Sequence, residues 1–190
     1  MPYTAQASDL CLLADVKDYL GLSVTTYDNM LQRMITGASQ WIKTWSNRDF
    51  YAGSYVQTMD GNNFETISVD QYPITSITGI VIDGVTVLPA NYKADNTGQP
   101  FITLTDGSVF NKGTQNVVIS YAAGYGNVAA GTIPMDVVQA CIELVAWRYT
   151  ERTRIQQSSK SMGGEVVSYS TGEGSKAAMV ILANYKRVIP

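Results

Sequence analysis

The side chains able to do chemistry here are carboxylates, two cysteines and a group of arginines, because the 190-residue chain contains no histidine. That absence removes Ser-His-Asp and Cys-His catalysis, imidazole metal sites and the commonest general base. Paired carboxylates can cleave glycosides without histidine, so the acids of the middle segment come first. Asp60, Asp83 and Asp106 each precede a glycine, where aspartate serves a turn's backbone. Glu65 and Asp70 remain, with no aromatic cleft defined around them, and no Asp-x-Asp-x-Asp-Gly loop offers calcium a site. Gly172-Glu173-Gly174-Ser175-Lys176 has the composition of a phosphate loop but lacks its Gly-Lys-Ser/Thr order and a buried strand leading in. Cys11 and Cys141 match no metal or redox spacing, and Cys141 reads as a small core residue in an apolar run. No catalytic, cofactor-binding or metal-binding residue is expected.

What remains is the chemistry of recognition. Arg148, Arg152 and Arg154 gather at the end of an apolar helical run, where the helix dipole favours cations. The same positions suit contact with acidic groups on a partner subunit. Val166, Val167 and Tyr169 interrupt a polar Ser/Gly stretch and suit strand addition to a neighbour's sheet edge. Tyr185 shares a face with Ala178, Ile181 and Leu182 in a final helical run that Ser175 is placed to cap. These seven residues, Arg148, Arg152, Arg154, Val166, Val167, Tyr169 and Tyr185, form the candidate partner interface.

The elements that must carry them change period twice. Residues 14–20 read as a short helix stopped by Gly21. Asp28 is placed to cap the next helix, whose stripe is Leu31, Met34, Ile35, Ala38, Ile42 and Trp45. From Tyr55 the period becomes two, with Asp60-Gly61-Asn62-Asn63 as a turn and Asp83-Gly84 as the clearest hairpin. Runs at 55–59, 64–69, 77–82, 85–88, 101–104 and 117–121 predict six short strands in a small antiparallel sheet or sandwich. Pro134 then opens a second helix with one apolar face of Met135, Val138, Ile142, Val145 and Tyr149 and another of Val137, Cys141 and Leu144. Such a helix demands partners on most sides, so it is the centre of the body or a helix between subunits.

The expected fold class is α+β: an α-helical bundle body with an inserted small antiparallel β domain. The body takes residues 1–52, the β module 53–133, the long central helix 134–155, a flexible arm 156–174 and a C-terminal helix 175–190.

Charge narrows the function. Charged residues make up only 15% of the chain while Tyr numbers 12, a balance that suits burial of surface in assembly. Of the net −3, residues 53–133 carry −4 and residues 134–190 carry +2, so no basic footprint for gripping nucleic acid exists. The start, Met1-Pro2-Tyr3-Thr4, has no signal-peptide pattern, and the longest uncharged stretch, 113–135, is too polar to cross a bilayer. A soluble protein made in a reducing cytoplasm, with no membrane partner, is expected.

Three blocks in order resemble the head–tail connector (adaptor, or head-completion) proteins of tailed bacteriophages, in the longer version with a β insertion. They are Leu13-Ala14-Asp15-Val16-Lys17-Asp18-Tyr19-Leu20 with residues 28–42; Tyr72-Pro73-Ile74-Thr75-Ser76-Ile77; and Tyr121-Ala122-Ala123-Gly124-Tyr125 followed by Ile133-Pro134 and Tyr149-Thr150-Glu151-Arg152. The resemblance implies a structural virion protein of the neck, present in the host cytoplasm during assembly, and no enzyme or cofactor. It implies a homo-oligomeric ring, usually a dodecamer, under the portal protein, extending the DNA channel and docking a stopper or tail-completion protein. DNA would pass through the lumen without sequence-specific binding, and residues 156–190 correspond to the portal-engaging region. The alternatives are another phage neck, tail-completion or baseplate component, or a carbohydrate- or surface-binding β module on a helical stalk. Sugar binding would need aromatics on one sheet face, whereas Tyr72, Tyr92 and Tyr121 fall near strand ends.

Overall fold

A computed structural model describes residues 3–95, 97–152, 159–162, 165–168 and 176–187. Chain contacts divide it into two compact units, Met1–Asn47 with Asn127–Pro190, and Arg48–Gly126.

The first unit is helical: α1 (Leu13–Leu20), α2 (Asp28–Ser46), α3 (Met135–Glu151) and α4 (Lys176–Ala183). Gly21 ends α1 in the left-handed region, returning its N–H to Asp18 and Lys17 carbonyls. In α2 the period of 3.6 puts Leu31, Ile35, Ala38 and Ile42 fully inside. Asp28 is not the cap expected of it. Tyr27 holds that position with no side-chain cap bond, and the Asp28 carboxylate instead accepts from Lys17 Nζ at 2.8 Å. α3 packs against α1, α2 and α4, and buries Val137, Val138, Cys141, Ile142, Leu144, Val145 and Tyr149. This is the central helix of the unit. Met135, expected on its apolar face, is instead 73% exposed.

Residues 9–11 are strapped to this body. Asp9 Oδ2 accepts from Gln32 Nε2 at 2.7 Å, Leu10 N–H donates to Ser39 Oγ at 2.9 Å, and Cys11 Sγ lies 3.4 Å from Cys141 Sγ. Within the stretch read as a flexible arm, β8 (Ser159–Met162) and β9 (Glu165–Ser168) pair as an antiparallel hairpin. Ser175 lies outside the described residues.

The second unit is two antiparallel sheets. β1 (Gly53–Gly61), β3 (Ile74–Ile82), β4 (Val85–Val87) and β7 (Gly113–Ala123) form one sheet in the order β1-β7-β3-β4. β2 (Thr66–Ser68), β5 (Tyr92–Ala94) and β6 (Phe101–Leu104) form the other, ordered β2-β6-β5. Period two along β7 turns Val117, Ile119, Tyr121 and Ala123 inward, where they meet Ile80 and Ile82 of β3 and Ile67, Ile102 and Leu104 of the smaller sheet. The Asp83-Gly84 hairpin joins β3 to β4. The Asp60–Asn63 turn makes no hairpin, since β1 pairs with β7 and β2 with β6. Gly61 is required by crowding: a Cβ there would lie 1.7 Å from the Asn111 carbonyl oxygen. Residues 48–52 belong to this unit through Ala52 N–H to Gly126 O and Tyr125 N–H to Phe50 O, both 2.9 Å.

Candidate partner interface

The anchors expected at the end of α3 first serve their own unit. The Arg152 guanidinium lies 3.5 Å from the Tyr149 ring centre and 5.7 Å from that of Tyr27, and donates to the Tyr149 carbonyl. The two rings meet edge to face at 5.9 Å. Arg148 is half-buried, its guanidinium reaching toward Gly37 of α2. Tyr185 O–H reaches the Asp136 carboxylate at 2.8 and 2.9 Å, while Arg187 N–H donates to Ser46 O at 2.8 Å and Lys186 Nζ sits 4.8 Å over Trp45. The residues after α4 are thereby seated across the C-terminal turn of α2 and the first turn of α3. Val166 and Val167 lie on β9, while Arg154 and Tyr169 fall outside the described residues. The structure thus brings Arg148 and Arg152 to one helix end and puts Tyr185 beside the other end of α3, with Asp136.

Sequence reasoning missed the apolar surface. Tyr19 and Val24 are exposed about α1, and Met135 and Val180 lie open on α3 and α4. In the β unit Val56, Phe64, Val85 and Leu88 are exposed. Val180 sits inside an apolar run and Val56 inside an alternating one, so no local signal separates them from core residues. Phe64 lines an open recess with Asn63, Glu65, Thr66 and Val109.

The acids of the β unit are turn residues, as their sequence context suggests. Asp83 accepts from Asn111 and Asn116 side chains at 3.0 and 2.9 Å, Asp95 from Thr97, and Asp106 from Ser108 and Asn91. These bonds hold all three carboxyls below their ordinary range. Tyr55 is pushed up to about 12, by burial first and then by the Asp49 carboxylate 3.3 Å from its hydroxyl. Among the described residues no group of three metal-ligating side chains gathers, and no helix is long and apolar enough to cross a membrane.

The tyrosines weighed for sugar binding have structural work. Tyr121 is buried, and its hydroxyl accepts from Gln71 N–H at 3.1 Å and donates to Gln57 at 3.2 Å. Tyr72 covers the buried Arg48, whose guanidinium lies 3.7 Å from that ring, 5.2 Å from Phe50 and 5.4 Å from Tyr125. Arg48 also donates to the Tyr72 carbonyl, and Gly124 N–H donates to Pro73 O at 2.9 Å. Two of the blocks that carried the resemblance, 72–77 and 121–125, therefore meet on one buried arginine.

A family model for head completion proteins matches residues 9–188, spanning both units. This chain belongs to the head completion protein family. Membership makes it a structural protein of the head–tail connection. No curated protein matches the sequence. Among solved structures, a chain from the neck of an empty gene transfer agent particle, computed with C6 symmetry, has a TM-score of 0.63 at 17% identity, covering 100% of this chain and 96% of that one. A chain from the native particle's neck, computed with C12 symmetry, gives 0.62 at 15% identity, with 100% and 96% covered. A third, from the virion of the native particle, gives 0.63 at 16% identity with the same coverage. At such identities the likeness is one of fold, and it takes in the head completion chain from end to end.

Proposed function

We propose that copies of this head completion protein close into a ring in the neck of a phage-like virion, beneath the portal protein. The ring extends the DNA channel and presents the platform on which a stopper or tail-completion protein docks. It works by assembly and not by catalysis. The observation that carries this reading is the family match through residues 9–188, in which the β unit is as much a part of the family pattern as the helices. Necks of gene transfer agent particles, one computed with C12 symmetry, hold chains of this fold, which supports a ring of identical subunits. A ring closes by head-to-tail contacts, so each subunit needs two different lateral faces. Exposed apolar residues on both units, Val180 and Met135 on one and Val56 and Val85 on the other, supply surface for them. The −4 charge of residues 53–133 suits a lumen that lets DNA pass without holding it.

The test is light scattering and electron microscopy of the purified protein, alone and mixed with DNA-filled, portal-bearing heads. A closed ring, free or formed on the heads, with tails then able to join, is the expected result. Heads that bind no protein, yet accept tails without it, would overturn the reading.

A further inference from the structure

Cys11 and Cys141 are 130 positions apart, yet their sulfurs lie 3.4 Å from one another, both buried. The meeting is built from both sides. Leu10 N–H and Asp9 tie the strand of chain before Cys11 to Ser39 and Gln32 of α2, while Cys141 is fixed on the central helix. Ser39 Oγ gives its hydrogen to Ile35 O at 2.8 Å, so at 3.7 Å from Cys141 it receives that thiol's S–H. Cys11 in turn donates to Cys141, giving a chain of three hydroxyl and thiol groups ending on a helix carbonyl.

We propose that this pair is an oxidation site at which a hydroperoxide converts two core thiols into an intramolecular disulfide. One sulfur attacks the peroxide, the O–O bond breaks, an S–O bond forms, and water or an alcohol leaves. The second sulfur then displaces that oxygen as water, forming the S–S bond. Each sulfur gives up one electron, the peroxide takes two, and both thiol protons end in the oxygen products. The sulfurs are already in contact at 3.4 Å, so they have only to close to the bonded distance of about 2.05 Å.

The environment makes the reaction slow. The hydrogen bond to Cys141, and then burial, push the Cys11 thiol well up, so little of the reactive thiolate is present. The bond would close a loop of sequence that contains the whole of Arg48–Gly126, and would hold the segment before α1 against α3. The inference rests on the thiol geometry alone and stands apart from the ring reading.

The folded full-length protein is incubated with hydrogen peroxide, denatured and labelled with a maleimide. The expected result is loss of both thiols, a mass lower by about 2 Da, and a proteolytic peptide pair joined through Cys11 and Cys141. The thermal midpoint should rise and fall back on reduction. Neither C11S nor C141S should show that rise, and the peptide map of the unaltered protein decides the matter if a variant does not fold. Two labelled thiols after incubation, sulfinic or sulfonic acids in place of the disulfide, or bonds only between chains would each overturn the proposal.

Discussion

At the scale of single residues, the family blocks have physical causes that their letters do not display. Tyr72 and Tyr125 are there to cover Arg48, and Gly124 is there because nothing else fits. Its φ is +112°, and an added Cβ would lie 2.5 Å from the Tyr51 carbonyl oxygen. Both the left-handed backbone and the close approach oppose a side chain. Gly124→Ala is therefore expected to cost about 2 kcal/mol of stability, read as a lower urea midpoint. An unchanged midpoint would mean the loop relaxes freely. The turn aspartates set a second expectation. Asp83, Asp95 and Asp106 are held below their ordinary value of 3.8, so their contribution is present above that value and is lost as pH falls through the lowered one. Tyr55 runs the other way: its contribution is present below pH 10.0 and is lost as pH rises through about 12. Thermal midpoints from pH 2 to 12 should stay near a plateau between about pH 5 and 9 and fall at both ends. Asp83→Asn should shrink the acid limb; a limb of the same size would show that this turn carries none of it.

At the scale of elements, what sequence could tell depended on how local each cause is. The stripe of α2 and the Asp83-Gly84 hairpin are written within a few residues of where they act, and both stand. The Asp60–Asn63 turn carries the same local signal, but β1 finds its partner β7 more than fifty residues on, so the signal named the wrong neighbour. β5, three residues long and containing Lys93, is too short for any period and went unread. The Arg48 cluster was illegible because it is not local: its rings come from residues 50, 72 and 125. Of the candidate interface, the positions of Arg148 and Arg152 on α3 were legible, while the cover that Tyr27 gives Arg152 was not. The burial of α3 was legible because apolar residues on two faces leave only a narrow polar stripe. Val145, fully buried, therefore tests the element: Val145→Asp places a charge where the pattern admits none. The cost is on the order of 5 kcal/mol, comparable to the whole stability of a domain. The variant should lose its cooperative melt in circular dichroism; a retained melt would place α3 nearer the surface than its packing indicates.

At the scale of the whole molecule, the division of labour runs between parts that make the subunit and parts left over for joining it to others. The helical unit completes its own core with α1 to α4, and the two sheets complete theirs. The β8–β9 hairpin joins neither sheet of the β unit, for among the described residues its strands pair only with each other. A two-stranded hairpin is marginal by itself in water, so it gains most from a neighbour. If the region after the long helix engages the portal, as proposed from the resemblance, a hairpin suits strand addition or insertion there. Deleting residues 156–173 separates the two roles, since α4 carries its own contacts to α2 and α3. The expected product is soluble and helical, with a thermal midpoint within a few degrees of the full chain, yet leaves DNA-filled heads uncompleted in an in vitro tail-joining assay. If the shortened chain instead precipitates or melts without a transition, the segment belongs to the core of the helical unit. If it folds and still completes heads, the portal contact lies elsewhere, and the exposed Met135 and Val180 are the next residues to change.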